Sequence, residues 1–201
     1  MLSNIAWNKK SALQYINEIR NLGKEFLAVD IETSGVRFHP DTQICGISVA
    51  FKRTDNNNSC YYFPIKHKSE DYKKNLNKSV IEELMKFICN EAHNLVFHNA
   101  KFDVKLIQRD YEEIKGTIHD SMIYASIQSF RKLKLSELVT TLFPQDWSNK
   151  LILQQTVDEY RRSLHIDDFS EIPISLLGTY CCQDASNTLD IYYKLYENFK
   201  D

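Results

Sequence analysis

The run Phe26-Leu-Ala-Val-Asp-Ile-Glu32 sets the tightest condition on what this chain can fold into. Apolar residues lead straight into two carboxylates. Side chains alternate along a strand, so Asp30 and Glu32 point to one face and Ile31 to the other. Such an apolar lead suggests a central strand covered on both faces. Two acids side by side near that core lose hydration and repel each other, which is costly unless a cation compensates. Divalent ions with hard oxygen ligands, Mg²⁺ or Mn²⁺, suit such a pair. The alternative is that the strand ends at Asp30 and both acids are solvated in the turn Thr33-Ser-Gly35.

The C-terminal segment poses the same problem independently. Its apolar stripe steps by three or four through Leu177, Cys181, Asp184, Thr188, Ile191, Leu195 and Phe199, so Asp184 stands where a core residue is expected. Tyr180 lies one turn earlier on the same face; a structural Tyr–Asp hydrogen bond is the simpler account. A third acid, Asp103, falls one turn into a helix that Asn99 is placed to cap. The helix dipole alone would favour an acid there. Four acids at the ends of apolar elements, converging on one spot, would need about two divalent cations. Two such ions roughly 3.5–4 Å apart are the usual apparatus of in-line phosphoryl displacement.

The remaining pattern supplies the frame. Ser11 to Leu22 reads as an amphipathic helix stopped by Gly23, and Thr42 to Phe51 and Ser59 to Ile65 read as strands in a meander with the first. Ser79 to Ala92 is helical, Asn94 to Phe97 a buried strand, and His98 to Asp110 a helix. Further helices are expected over Ser121 to Phe130, Leu135 to Leu142, Leu151 to Arg162 and Pro173 to Lys200. Strands early and helices late imply a mixed α/β sheet flanked by helices. At 201 residues the chain suits one domain, 1–201. Its net charge of −2 gives a polyanion no long-range attraction, so a nucleic-acid site would have to gather its cations locally. Arg131, Lys132, Lys134 and Lys150 are the candidates for such a rim, whereas Lys66, Lys68, Lys73, Lys74 and Lys78 read as a solvated loop. The five cysteines are odd in number and lack metal-site spacing. With no signal peptide or membrane span in the pattern, buried free thiols in a cytoplasmic, soluble protein are expected. His98 and His119 are read as structural, and Tyr61, Tyr62 and Phe63 as strand packing.

Taken in order, Asp30-Ile-Glu32 with Thr33-Ser34-Gly35, His98-Asn-Ala-Lys-Phe-Asp103 and Tyr180-Cys-Cys-Gln-Asp184-Ala resemble the three exonuclease motifs of the DEDD superfamily. Tyrosine four residues before the last acid resembles its tyrosine branch; the histidine branch carries its base one position earlier, where this chain has Thr179. Within that branch the chain looks most like the proofreading domain of family A DNA polymerases.

The resemblance implies a ribonuclease H-like fold and two divalent ions, Mg²⁺ or Mn²⁺. It implies hydrolysis of single-stranded or frayed DNA 3′ ends to nucleoside 5′-monophosphates. It further implies that Asp30, Glu32 and Asp184 hold one ion, that Asp30 and Asp103 hold the other, and that Tyr180 orients the attacking water. Substrate contacts would come from Thr33, Val36, Asn99 and Phe102, with Asp120 as structural support. The expected partners are single-stranded DNA 3′ ends and a DNA polymerase in cis or in trans, with no membrane. Two other readings stay open: an RNA 3′–5′ exonuclease similar to ribonuclease D, and a catalytically silent single-strand-binding domain.

Overall fold

Strand β2 (Phe26–Thr33) does not stop at Asp30 but runs through both acids and ends in a register shift between Glu32 and Thr33. The computed structural model describes residues 2–23, 25–35 and 38–197. Among these, β2 lies inside a six-stranded mixed sheet with β1 (Leu2–Ile5), β3 (Ile44–Lys52), β4 (Asn58–Pro64), β5 (Asn94–Phe97) and β6 (Thr117–Asp120), in the order β1-β4-β3-β2-β5-β6. The expected meander is there: β2, β3 and β4 pair antiparallel. Strands β5 and β6 then add parallel to β2, and β1 adds parallel to β4. The short edge strands β1 and β6 were not legible in the sequence.

Alternation along β2 divides its side chains between two layers. Leu27, Val29 and Ile31 join one core with α1 (Lys9–Arg20), α2 (Lys78–Lys86) and α3 (Ala100–Asp110). Ala28 points the other way, against α7 (Ile174–Glu197), and Asp30 and Glu32 share its alternation. The helices α4 (Ser121–Ile127), α5 (Leu135–Leu142) and α6 (Trp147–Leu164) complete that second layer. Tyr61 and Tyr62 fill opposite layers and are both buried, so β4 offers no stacking surface to solvent. All five cysteines are buried and unbridged. No described helix is long and apolar enough to cross a membrane.

Small residues let α7 lie close on the sheet. Its Gly178 sits over the buried ring of Tyr62, where an added Cβ would come within 2.6 Å of Cδ1. Gly178→Ala is therefore expected to lower stability by about 1–3 kcal/mol, read as a fall in the urea midpoint at unchanged slope. A parent-like midpoint would show that Tyr62 has room to move aside.

Candidate active site

Three elements bring the acids together. Strand β2 supplies Asp30 and Glu32 at its carboxyl end, α3 supplies Asp103 in its first turn, and α7 supplies Asp184 with Tyr180 one turn before it. Glu32 and Asp103 are buried, each only 8% exposed, while Asp30 and Asp184 are half-buried. Burial, followed by the negative charges of Asp30, Asp184 and Asp103, holds the Glu32 carboxyl well above the usual range. Burial and then Asp103 push Asp30 up to about 8. Burial also raises Asp103 to about 8, offset in part by main-chain hydrogen bonds at its own amide and at Ile31. Asp184 is raised by burial and by Asp30, and the Tyr180 phenol donates a hydrogen bond that partly offsets this. The Asp184 charge, followed by burial, holds the phenol well above its ordinary value.

Such mutual repulsion suits a site for divalent cations. Ligand atoms of Asp30, Glu32 and Cys181 lie within 4.8 Å of one another, close enough to share an ion. Cys181 is a neighbour that the sequence pattern had assigned to the core. Its thiol lies 3.2 Å from Asp30 Oδ2 and 3.2 Å from Ser48 Oγ, and the Ser48 hydroxyl donates to the Cys181 carbonyl at 3.0 Å. The hydroxyl and thiol thus lock Asp30 against α7.

The start of α3 departs from expectation. Asn99 does not cap the helix with its side chain; its backbone is left-handed (φ 64°). The buried Asp120 does the capping instead, accepting from the Asn99 and Ala100 amides at 3.0 and 2.8 Å and from Met122 at 2.9 Å. Asparagine tolerates this conformation better than most residues, and the turn leaves its side chain exposed. Asp120 is thus the structural support expected of it. His98 is structural too, bonded to Ser121 Oγ and to the Leu133 carbonyl.

The other expected contacts divide. Thr33 is buried, its hydroxyl donating to the Gly35 carbonyl at 2.6 Å, and Phe102 packs half-buried against the core of the α1–α3 layer. Val36 lies outside the described residues. Lys150 does not join a phosphate rim, because it and Lys52 both grip Asp190, at 2.6 and 2.8 Å. Arg131, Lys132 and Lys134 remain exposed. Two residues of α6 that sequence reasoning passed over reach the centre electrostatically: Arg161 acts on Glu32 and Asp158 on Asp184. Nothing in the local sequence separates them from ordinary helix-surface charges.

The 3′–5′ exonuclease family matches residues 5–200. No curated protein matches the chain in sequence. Solved structures share the fold at low identity. Trypanosoma brucei RNase D in complex with GMP has a TM-score of 0.66 at 12% identity, covering 96% of this chain and 56% of that one. The RNase domain of yeast Pop2 has a TM-score of 0.62 at 11% identity, covering 98% and 86%. Brucella melitensis NrnC bound to pGG has a TM-score of 0.60 at 13% identity, covering 100% and 82%. The chain thus spans little more than half the length of the RNase D it resembles.

Proposed function

The chain belongs to the 3′–5′ exonuclease family, and from that premise we propose that it trims single-stranded or frayed DNA 3′ ends to nucleoside 5′-monophosphates, as a proofreading-type member of the DEDD superfamily's tyrosine branch. The observation that carries this reading is the meeting of four carboxylates from β2, α3 and α7, each held above its ordinary range beside Tyr180. On this reading residues 1–201 act as one exonuclease domain, working with a DNA polymerase in cis or in trans.

Asp30, Glu32 and Asp184 would hold one divalent ion, and Asp30 with Asp103 a second. Bound Mg²⁺ or Mn²⁺ supplies an activated water and neutralises charge at the leaving oxygen. The protein's part is to aim the acids. Ser48 and Cys181 fix Asp30, and Asp120 fixes the turn that carries Asp103. Tyr180, whose one O–H is donated to Asp184, orients the water by accepting a hydrogen bond from it at the phenol oxygen. The exposed Asn99 side chain contacts the sugar-phosphate, and Thr33, Val36 and Phe102 flank the terminal nucleotide.

A second reading has a specific observation behind it. RNase D and the Pop2 RNase domain share this fold, which favours an RNA 3′ end as substrate. The two readings differ at the 2′-hydroxyl. A silent binding domain is disfavoured, because all four acids are in place.

The deciding assay compares initial rates on 5′-labelled DNA and RNA strands of one sequence, with Mg²⁺ or Mn²⁺, and on blunt and mismatched DNA duplexes. Single strands and mismatched ends are expected to be degraded faster than blunt ends, because melting a paired terminus costs free energy, and a 3′-phosphate should slow the reaction. Faster loss of RNA would move the assignment to the second reading. Equal rates on all DNA ends, or cuts appearing first in the interior, would overturn the proofreading reading.

A further inference from the structure

The carboxyl-terminal half of α6 turns toward the acids a cation, Arg161, that forms no salt bridge among the described residues. Arg161 Nε donates to the Ile166 carbonyl at 3.2 Å, across the turn where His165 takes the left-handed conformation and ends the helix. The guanidinium carbon lies 4.2 Å from the centroid of the Phe169 ring. Phe169 packs in one cluster with Val157, Leu177 and Tyr180, and its turn rests against β2. The platform beneath Arg161 is therefore continuous with the wall of the acidic centre. Among the described residues no carboxylate lies within ion-pair distance of Arg161, and its two terminal nitrogens make no hydrogen bond. Beside it opens a cavity of about 570 Å³ lined by Asp158, Arg161, Arg162, His165, Ile166 and Asp167.

A guanidinium stacked on an aromatic ring is pre-organised, and its terminal N–H groups match two oxygens of a phosphate. The acidic centre has the opposite need. With two divalent ions on its four carboxylates the centre is about neutral, so the charge of an entering phosphodiester still calls for a cation beside it. Neutralising the acids is not the task of α6 as a whole, because Asp158, one turn before Arg161, adds negative charge at Asp184. Resting on the exonuclease reading above, we propose that Arg161 is a substrate-binding residue whose guanidinium seats the non-bridging oxygens of the scissile phosphate beside Glu32.

The test measures kcat and KM on a 5′-labelled single strand across a salt series, for the parent, Arg161→Gln and Arg161→Lys. Melting temperatures with and without Mn²⁺ are measured alongside. Arg161→Gln is expected to lower kcat/KM about 10–100-fold. It should also flatten the dependence of log(kcat/KM) on log salt by ~0.7, the value of one phosphate contact on a single strand. Arg161→Lys keeps the parent's salt slope but recovers only part of the rate. Both variants retain the parent's Mn²⁺-induced rise in melting temperature, which shows that α6 and the acids are undisturbed. A parent-like kcat/KM in Arg161→Gln overturns the proposal. So does a loss of rate at unchanged salt slope, which would make Arg161 a clamp for the end of α6. Loss of the Mn²⁺ effect would likewise overturn it and assign Arg161 to supporting the acids. An inactive parent would instead sink the exonuclease reading, and this inference with it.

Discussion

Asp30→Asn is expected to lower nucleotide release by at least ~10³-fold while raising the melting temperature of the metal-free protein at pH 8. The two effects have one cause. In the folded protein burial and Asp103 lift the Asp30 carboxyl to about 8, whereas in the unfolded chain it titrates near ~3.9. Between those values the folded state keeps a proton that the unfolded chain has lost, so stability falls as pH rises through that window. Destabilisation from this group sets in above the unfolded carboxyl range and is complete once pH passes about 8. An amide carries no such penalty, so the variant's melting temperature should depend less on pH. Divalent ions act in the opposite sense. They bind the ionised acids and displace protons, so the rise in melting temperature caused by Mn²⁺ should grow with pH in the parent and shrink in the variant. Thermal scans from pH 5 to 9, paired with digestion of an end-labelled strand, check all of this. Full activity in the variant would remove Asp30 from the centre, and loss of stability at every pH would make it a structural residue.

That the acids were legible in the sequence at all follows from a conflict between two patterns. A strand that alternates and a helix that repeats every three or four residues both reserve positions for apolar side chains. Asp30, Glu32 and Asp184 occupy such positions, and the structure puts them where those periods say. Residues whose importance arises only from tertiary neighbours left no comparable mark. Cys181 reads as core from its place in the stripe, and only the approach of β2 and β3 reveals that it touches Asp30 and Ser48. Lys150 reads as a free surface cation because Asp190 is 40 residues away along the chain. Asn99 has the right identity and spacing for a helix cap, but Asp120 arrives from β6 with both oxygens and takes that task. The edge strands β1 and β6 are four residues each, too short for a period to show, and exist because β4 and β5 offer them partners.

Tyr180→Phe is expected to slow turnover by about 10²–10⁴-fold with little change in KM. What the phenol does is limited by its neighbour. The Asp184 charge, with burial and the charges of Glu32 and Asp30, holds the phenol well above its ordinary value, so near neutrality it stays protonated: its O–H is donated to Asp184, its oxygen accepts a hydrogen bond from the water, and it takes no proton as a base. A phenol that stays protonated and only orients the water loses its effect equally at every pH, so the rate profiles of parent and variant from pH 7 to 9 should run parallel. A general base would instead give the parent a rising alkaline limb that the variant lacks. The substitution has a second consequence on the acid side. The phenol's hydrogen bond favours the ionised form of Asp184, so its removal should push that carboxyl further up. The Mn²⁺-induced rise in melting temperature should then be smaller in the variant than in the parent at low pH, with the gap narrowing as pH rises. A variant as fast as the parent would reduce the Tyr180–Asp184 pair to a structural contact. A gap that does not narrow as pH rises would mean that the phenol's task is to hold Asp184 in place, with the slower turnover following from a misplaced ligand.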